Sequence, residues 1–154
     1  MSPIPFLEWL GSSALANAMN GPEWAFPVVE SLHFIGFAFL IGTIAIVDLR
    51  LLGLGMQRPA AQLSADLRPW TLTGLALMLT TGPAMFAADA VRYYFNPSFR
   101  FKMTCLALAI LFHFAVQRNV AKAKTPSLVG ALAACVSLAL WIGVIAGGRM
   151  IAFV

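Results

Sequence analysis

Charge is scarce in this chain, and one sign is missing altogether from its first 49 residues. Only 10% of the 154 residues are charged, and no lysine or arginine precedes Arg50. A soluble domain carries about 25% charged residues, so a water-facing globule is excluded. The late first basic residue also speaks against a removable signal peptide, which needs a positively charged start. Cysteine is nearly absent: Cys105 and Cys135 both fall within apolar runs, so they read as small buried hydrophobes rather than a disulfide. The seven methionines are scattered, which does not suit copper. No zinc spacing, phosphate loop, serine triad or nucleic-acid signature occurs.

What is present is hydrophobic length. Residues of the apolar classes make up 60% of the chain and the mean hydropathy is +0.85. At roughly 20 apolar residues per crossing, a single all-α domain over residues 1–154 supplies four spans, predicted at about 27–53, 70–88, 99–116 and 128–148. The fold expected is an integral membrane four-helix bundle in the lipid bilayer. Before it, Ser2 to Trp24 is too short and too polar to cross, and is predicted as a short interfacial helix with Trp9 and Trp24 in the aromatic belt. Four crossings bring both termini to one face, side A. Side B then holds Arg50, Arg58, Arg68, Arg118, Lys122 and Lys124, against Arg92, Arg100, Lys102 and Arg149 on side A. The positive-inside rule places side B in the cytoplasm and both termini outside.

Ionisable groups inside spans cost several kcal/mol without a partner, so each one needs a reason. Asp48 is expected as an interfacial carboxylate paired with Arg50 or Arg68. Glu30, in a first helical turn, is expected to tie to Arg149. The two histidines, His33 and His113, are the chain's entire imidazole content. Imidazoles from different transmembrane helices can clamp a haem iron, and they can equally hydrogen-bond across helices. Gly36 and Phe37 lie one turn from His33, offering a gap beside an aromatic wall. At 1.5 Å per residue His113 lies about 12 Å deeper than His33, a wide separation for one haem b. His33 ranks first as iron ligand, His113 second, and Met85, at a depth close to that of His33, third as the competing second ligand. Arg92, Arg149 and Lys102, on the side of His33, are the candidate partners of haem propionates. Gly143 and Gly147 in the fourth span form a small-residue face, for packing inside the bundle or for a homodimer or larger membrane complex.

The stretches LHFIGFAFLIGTIAIVDLRLLGL, RYYFNPSFRFKM and WIGVIAGGRMIAF resemble an uncharacterised bacterial family of four-span membrane proteins. More distantly, the Leu-His start of the first span and FKMTCLALAILFH are similar to CopD-like membrane proteins and HemJ-type protoporphyrinogen oxidases, four-helix b-haem proteins. That resemblance implies a haem ligand at His33, a bacterial inner membrane and an oxidoreductase if the chain is an enzyme. The expectation is therefore a b-type membrane cytochrome exchanging electrons with quinone or another redox partner. A cofactor-free accessory subunit is the rival, and an oxidase acting on a porphyrin-like substrate a third reading.

Overall fold

The computed structural model describes residues 2–55, 58–121 and 127–153. Gln57 and the residues 122–126, with Lys122, Lys124 and Pro126, lie outside the described residues. Among those described, every regular element is helical. Instead of one interfacial helix the start of the chain forms two, α1 (Ile4–Gly11) and α2 (Ala14–Asn20). The reason is local. Gly11-Ser12-Ser13 breaks the run, and the Ser13 hydroxyl restarts it by accepting the Ala16 N–H at 3.2 Å. The pair is pinned to side A by Asn20, whose amide donates to the Ala88 carbonyl at 2.9 Å.

Helix α3 (Ala25–Leu51) is the first span. It stops where Gly53 takes a φ of 82°, a left-handed turn that a Cβ would oppose. Helix α4 (Ala60–Ala88) begins ten residues earlier than predicted. Hydropathy placed the boundary at Trp70 because Ser64, Asp66 and Arg68 are polar. The helix nevertheless forms there, since Leu63 and Leu67 pack against Val47 while Asp66 reaches outward to Arg58. Pro69 and Pro83 each remove one intrahelical bond without ending it. A short α5 (Ala90–Phe95) leads to α6 (Pro97–Phe112), opened by Pro97 and by the Asn96 side chain on the Phe99 N–H. The third span then continues through a π-helical turn, His113–Gln117, into the single turn α7 (Arg118–Val120). Helix α8 (Leu128–Met150), capped by Ser127, closes the chain with a 3₁₀ turn.

Four of these segments are long and apolar enough to cross a membrane: Ala25–Leu51, Ala60–Ala88, Pro97–Gln117 and Leu128–Phe153. Their outer faces carry Phe34, Leu79, Leu111 and Ile142, each about 60% or more exposed, which only a lipid environment makes favourable. The protein is an all-α, multi-pass membrane bundle.

Two tight pairs make up that bundle. In the first, α3 and α4 touch backbone to backbone at Gly36 and Gly74. A Cβ on Gly74 would sit 2.6 Å from the Gly36 carbonyl oxygen and 2.6 Å from the Leu40 nitrogen. In the second, Gly143 and Gly147 of α8 receive Cys105 and Lys102 of α6, so the glycine face of the last span is covered from within the chain. The core that joins the pairs is Leu40, Ile44, Met78, Ala109, Trp141 and Val144. α3 meets α8, whereas α4 meets α6 through side chains, as where Phe86 stacks on Phe99.

The glycine contact can be tested directly. Gly74→Ala is expected to lower the unfolding free energy by about 1–3 kcal/mol, because backbone cannot move aside as a side chain can. Gly42→Ala, with nothing within 4 Å of its added Cβ, is expected to change it by no more than about 0.5 kcal/mol. Unfolding of both variants in one detergent, followed by circular dichroism, measures the difference.

Candidate functional site

Polar side chains collect at two depths in this bundle, one around each histidine. Nearer side A, the His33 Nδ1 lies 2.8 Å from the Thr81 Oγ1 across the α3–α4 interface. Thr81 in turn donates its hydroxyl hydrogen to the Leu77 carbonyl at 2.5 Å. With that hydrogen committed, the Thr81 oxygen can only accept, so His33 carries its proton on Nδ1. The lone pair is left on Nε2. Gly82 keeps the space beside the ring open, since a Cβ there would already stand 3.5 Å from the His33 Cε1.

Lys102 lies close enough for its charge to act on the His33 ring. Its stem runs along Gly147 and Gly148, which have no side chains to obstruct it. Lys102 is half-buried within a span, and among the described residues no carboxylate forms an ion pair with it. Toward the surface, Phe86, Tyr93 and Phe99 form a ring cluster with centroids 5.4 to 6.4 Å apart. Burial, and after it the nearby Asp89 carboxylate, hold the Tyr93 phenol above its usual range. Tyr93 therefore remains a neutral hydroxyl at physiological pH.

The second centre lies in the side B half and departs from expectation. Asp48 is not an interfacial ion-paired group: its residue is 0% exposed, and among the described residues neither Arg50 nor Arg68 forms an ion pair with it. Arg50 instead donates to the Arg58 carbonyl. Asp48 is held by Gln117, whose amide N–H donates to the Oδ1. That orientation turns the Gln117 Oε1 toward His113, and the oxygen accepts from the His113 Nδ1. Ser137 of α8, also buried, stands beside the carboxylate. Oδ2 has no hydrogen-bond partner. The π-helical turn bears on this arrangement, because it contains both His113 and Gln117. Such turns are frequent at functional sites. A cleft of about 60 Å³ opens beside the centre, lined among others by His113, Gln117, Thr43, Thr71, Ser64 and Arg68.

The remaining expectations fall into place around these two centres. His113 and Ile44 border the same small cavity, and Ile44 follows His33 by eleven residues on α3. The two imidazoles are thus about 16 Å apart in depth, and the structure does not bring them together. Met85 lies one turn of α4 beyond Thr81, toward side A. Arg92 is exposed and pairs with Asp89 at 3.9 Å. Arg149 does not tie to Glu30; its guanidinium lies over the Phe153 ring, 5.5 Å from the centroid. Gln117 is no candidate in the sequence, and Ser137 stands there only as an upstream extension of the Gly143 and Gly147 stripe. Their one signal is polarity inside an apolar run, which for glutamine at a span end reads equally well as an interface residue.

Fold and centres together define a four-span helical membrane protein with polar groups buried at two levels. A family model described as a family of unknown function, DUF6644, matches residues 6–154, and the chain belongs to that family. Comparison with curated proteins and with solved structures returns no match.

Removing the Gln117 amide strands a carboxylate oxygen and an imidazole nitrogen at once. Gln117→Leu is expected to cost about 3 kcal/mol of stability. Thr80→Ala removes only bonds to its own exposed helix face and is expected to cost less than about 0.5 kcal/mol. Denaturant titration of both variants in detergent compares them.

Proposed function

We propose that this chain is a small b-type haem protein of the bacterial inner membrane, working in electron transfer within the bilayer, with the Nε2 of His33 as an iron ligand. One observation carries the reading: the hydrogen-bond chain from His33 through Thr81 to Leu77, which favours the tautomer that leaves the Nε2 lone pair free for a metal. Histidines that bind metals characteristically donate their other N–H in this way, which orients the ring and raises its basicity. The donor chemistry fits a haem in a second respect. Lys102 is a cation within a span, near His33 and without a paired carboxylate among the described residues, and a propionate would supply the missing charge.

A bound haem would supply one-electron transfer at the depth of His33. The chain's own contribution is to hold the Nε2 lone pair in place, to offer Lys102 to a carboxylate and to cover the side A end with Phe86, Tyr93 and Phe99. Met85, one turn beyond Thr81, would be the second residue to hold the iron; His113, about 16 Å deeper, is assigned no part in holding it. Quinol or another membrane donor is the proposed electron source. The excess of basic residues on side B supports a cytoplasmic side B with both termini in the periplasm.

Absorption of protein purified from haem-replete cells, reduced against oxidised, is the test. A b-type difference spectrum is expected, lost in His33→Ala and retained in His113→Ala. Thr81→Val is expected to weaken haem affinity about 10- to 100-fold while leaving the ligand in place. A colourless wild-type preparation would overturn the proposal and leave the cofactor-free accessory subunit as the better description.

A further inference from the structure

The Asp48 centre has no part in holding haem, and its construction calls for its own explanation. A carboxylate wholly buried in a span is costly unless it is paired, and such residues mark ion pathways and proton relays. Asp48 is 0% exposed and lacks an ion-pair partner among the described residues. Oδ1 accepts the Gln117 N–H and the Ser137 hydroxyl stands beside the carboxylate, while Oδ2 is buried with no hydrogen bond. A bare carboxylate oxygen in a site of low dielectric is poorly stabilised as an anion, whereas a proton on that oxygen removes the charge.

The surroundings distinguish a proton from a metal ion. Among the described residues no cluster of three or more His, Cys, Asp or Glu forms. The group bonded to Oδ1 is an N–H donor, which a cation would have to displace. Among the described residues, the charged and titratable groups facing the centre are Asp48 itself from α3, Arg68 from α4 and His113 from the π-helical turn. α8 presents Ser137 and Trp141, both uncharged at any physiological pH.

We propose that Asp48 is a proton-binding site in the side B half of the membrane, which exchanges its proton with water of the cleft lined by His113, Gln117 and Arg68. Asp48 does not itself line the cleft, and Gln117 borders both: a hydronium at that edge gives one proton to the carboxylate, which becomes a carboxylic acid, and leaves water behind; release is the reverse. Gln117 and His113 act as positioning residues: Gln117 holds Oδ1, and His113 holds Gln117. The inference stands on the buried carboxylate and the cleft, and is independent of whether His33 binds haem.

Infrared spectroscopy of the full chain in lipid nanodiscs, with ¹³C-labelled aspartate, tests it. The sequence contains three aspartates, and Asp66 and Asp89 are both exposed. In the double variant Asp66→Asn/Asp89→Asn every labelled carboxyl signal therefore comes from Asp48, and Asp48 itself is not altered. The expected result is a labelled carboxylic-acid band that grows reversibly as pH falls and is unaffected by sodium at constant pH. Gln117→Leu in that background should move the band's frequency without abolishing it. A carboxylate that stays ionised at every pH at which the protein remains folded would overturn the proposal. So would a band that sodium suppresses at fixed pH, which would make the site a cation site.

Discussion

The backbone contact between Gly36 and Gly74 sets the register on which both polar centres depend. Two helices that approach this closely cannot slide, because every step along the axis would drive a side chain into the opposing backbone. With Gly74 against Leu40, the antiparallel pairing places Thr71 opposite Thr43 and Thr81 opposite His33. Without hydrophobic driving force between helices inside lipid, close packing by small residues and interhelical hydrogen bonds are the main sources of association. Here they coincide: the glycines let the helices approach, and the approach brings Thr81 within bonding distance of the imidazole.

The same economy of space works in the other pair. Gly143 and Gly147 form the small-residue stripe that sequence reading left open between internal packing and an outward face. A Cβ on Gly147 would lie 3.0 Å from the Lys102 Cβ, so the stripe is filled by the third span. The stripe seats a lysine stem as well as a helix. This explains how α6, which fully buries only Ala109, is nonetheless fixed in rotation.

Fold class, span number and three of the four span positions were legible in the sequence, because twenty-residue apolar runs admit few alternatives in a bilayer. The start of α4 was not. Hydropathy reports which residues lipid accepts, whereas a helix continues beyond lipid wherever residues such as Leu63 and Leu67 find a partner. The weight on His33 came from its isolation in an apolar run, and the structure adds the tautomer. Asp48 was misjudged for a different reason. Its neighbours in sequence include Arg50, but on a helix residues two apart point away from each other, and the group it meets is Gln117, 69 positions away. Long-range polar pairing has no periodicity, and the π-helical turn beneath it leaves no mark in the spacing of apolar residues.

Asp48 and Lys102 are opposite charges in the same bundle, and their separation decides whether they can compensate one another. Lys102 acts at the level of His33, and Asp48 follows His33 by fifteen residues on α3, which is about 22 Å of helix. At an effective dielectric constant of about 20, charges at that distance attract by about 0.8 kcal/mol. A charged side chain at mid-bilayer costs about 2.5–3.5 kcal/mol on insertion scales, so the attraction is too weak to offset either burial. Each charge must be compensated where it stands. Asp48 has an amide on one oxygen and needs something for the other; Lys102 has an apolar trough for its stem and needs an anion or water for its head. The two centres are therefore separate sites, each incomplete in its own way, and neither requirement can be met by rearranging the other.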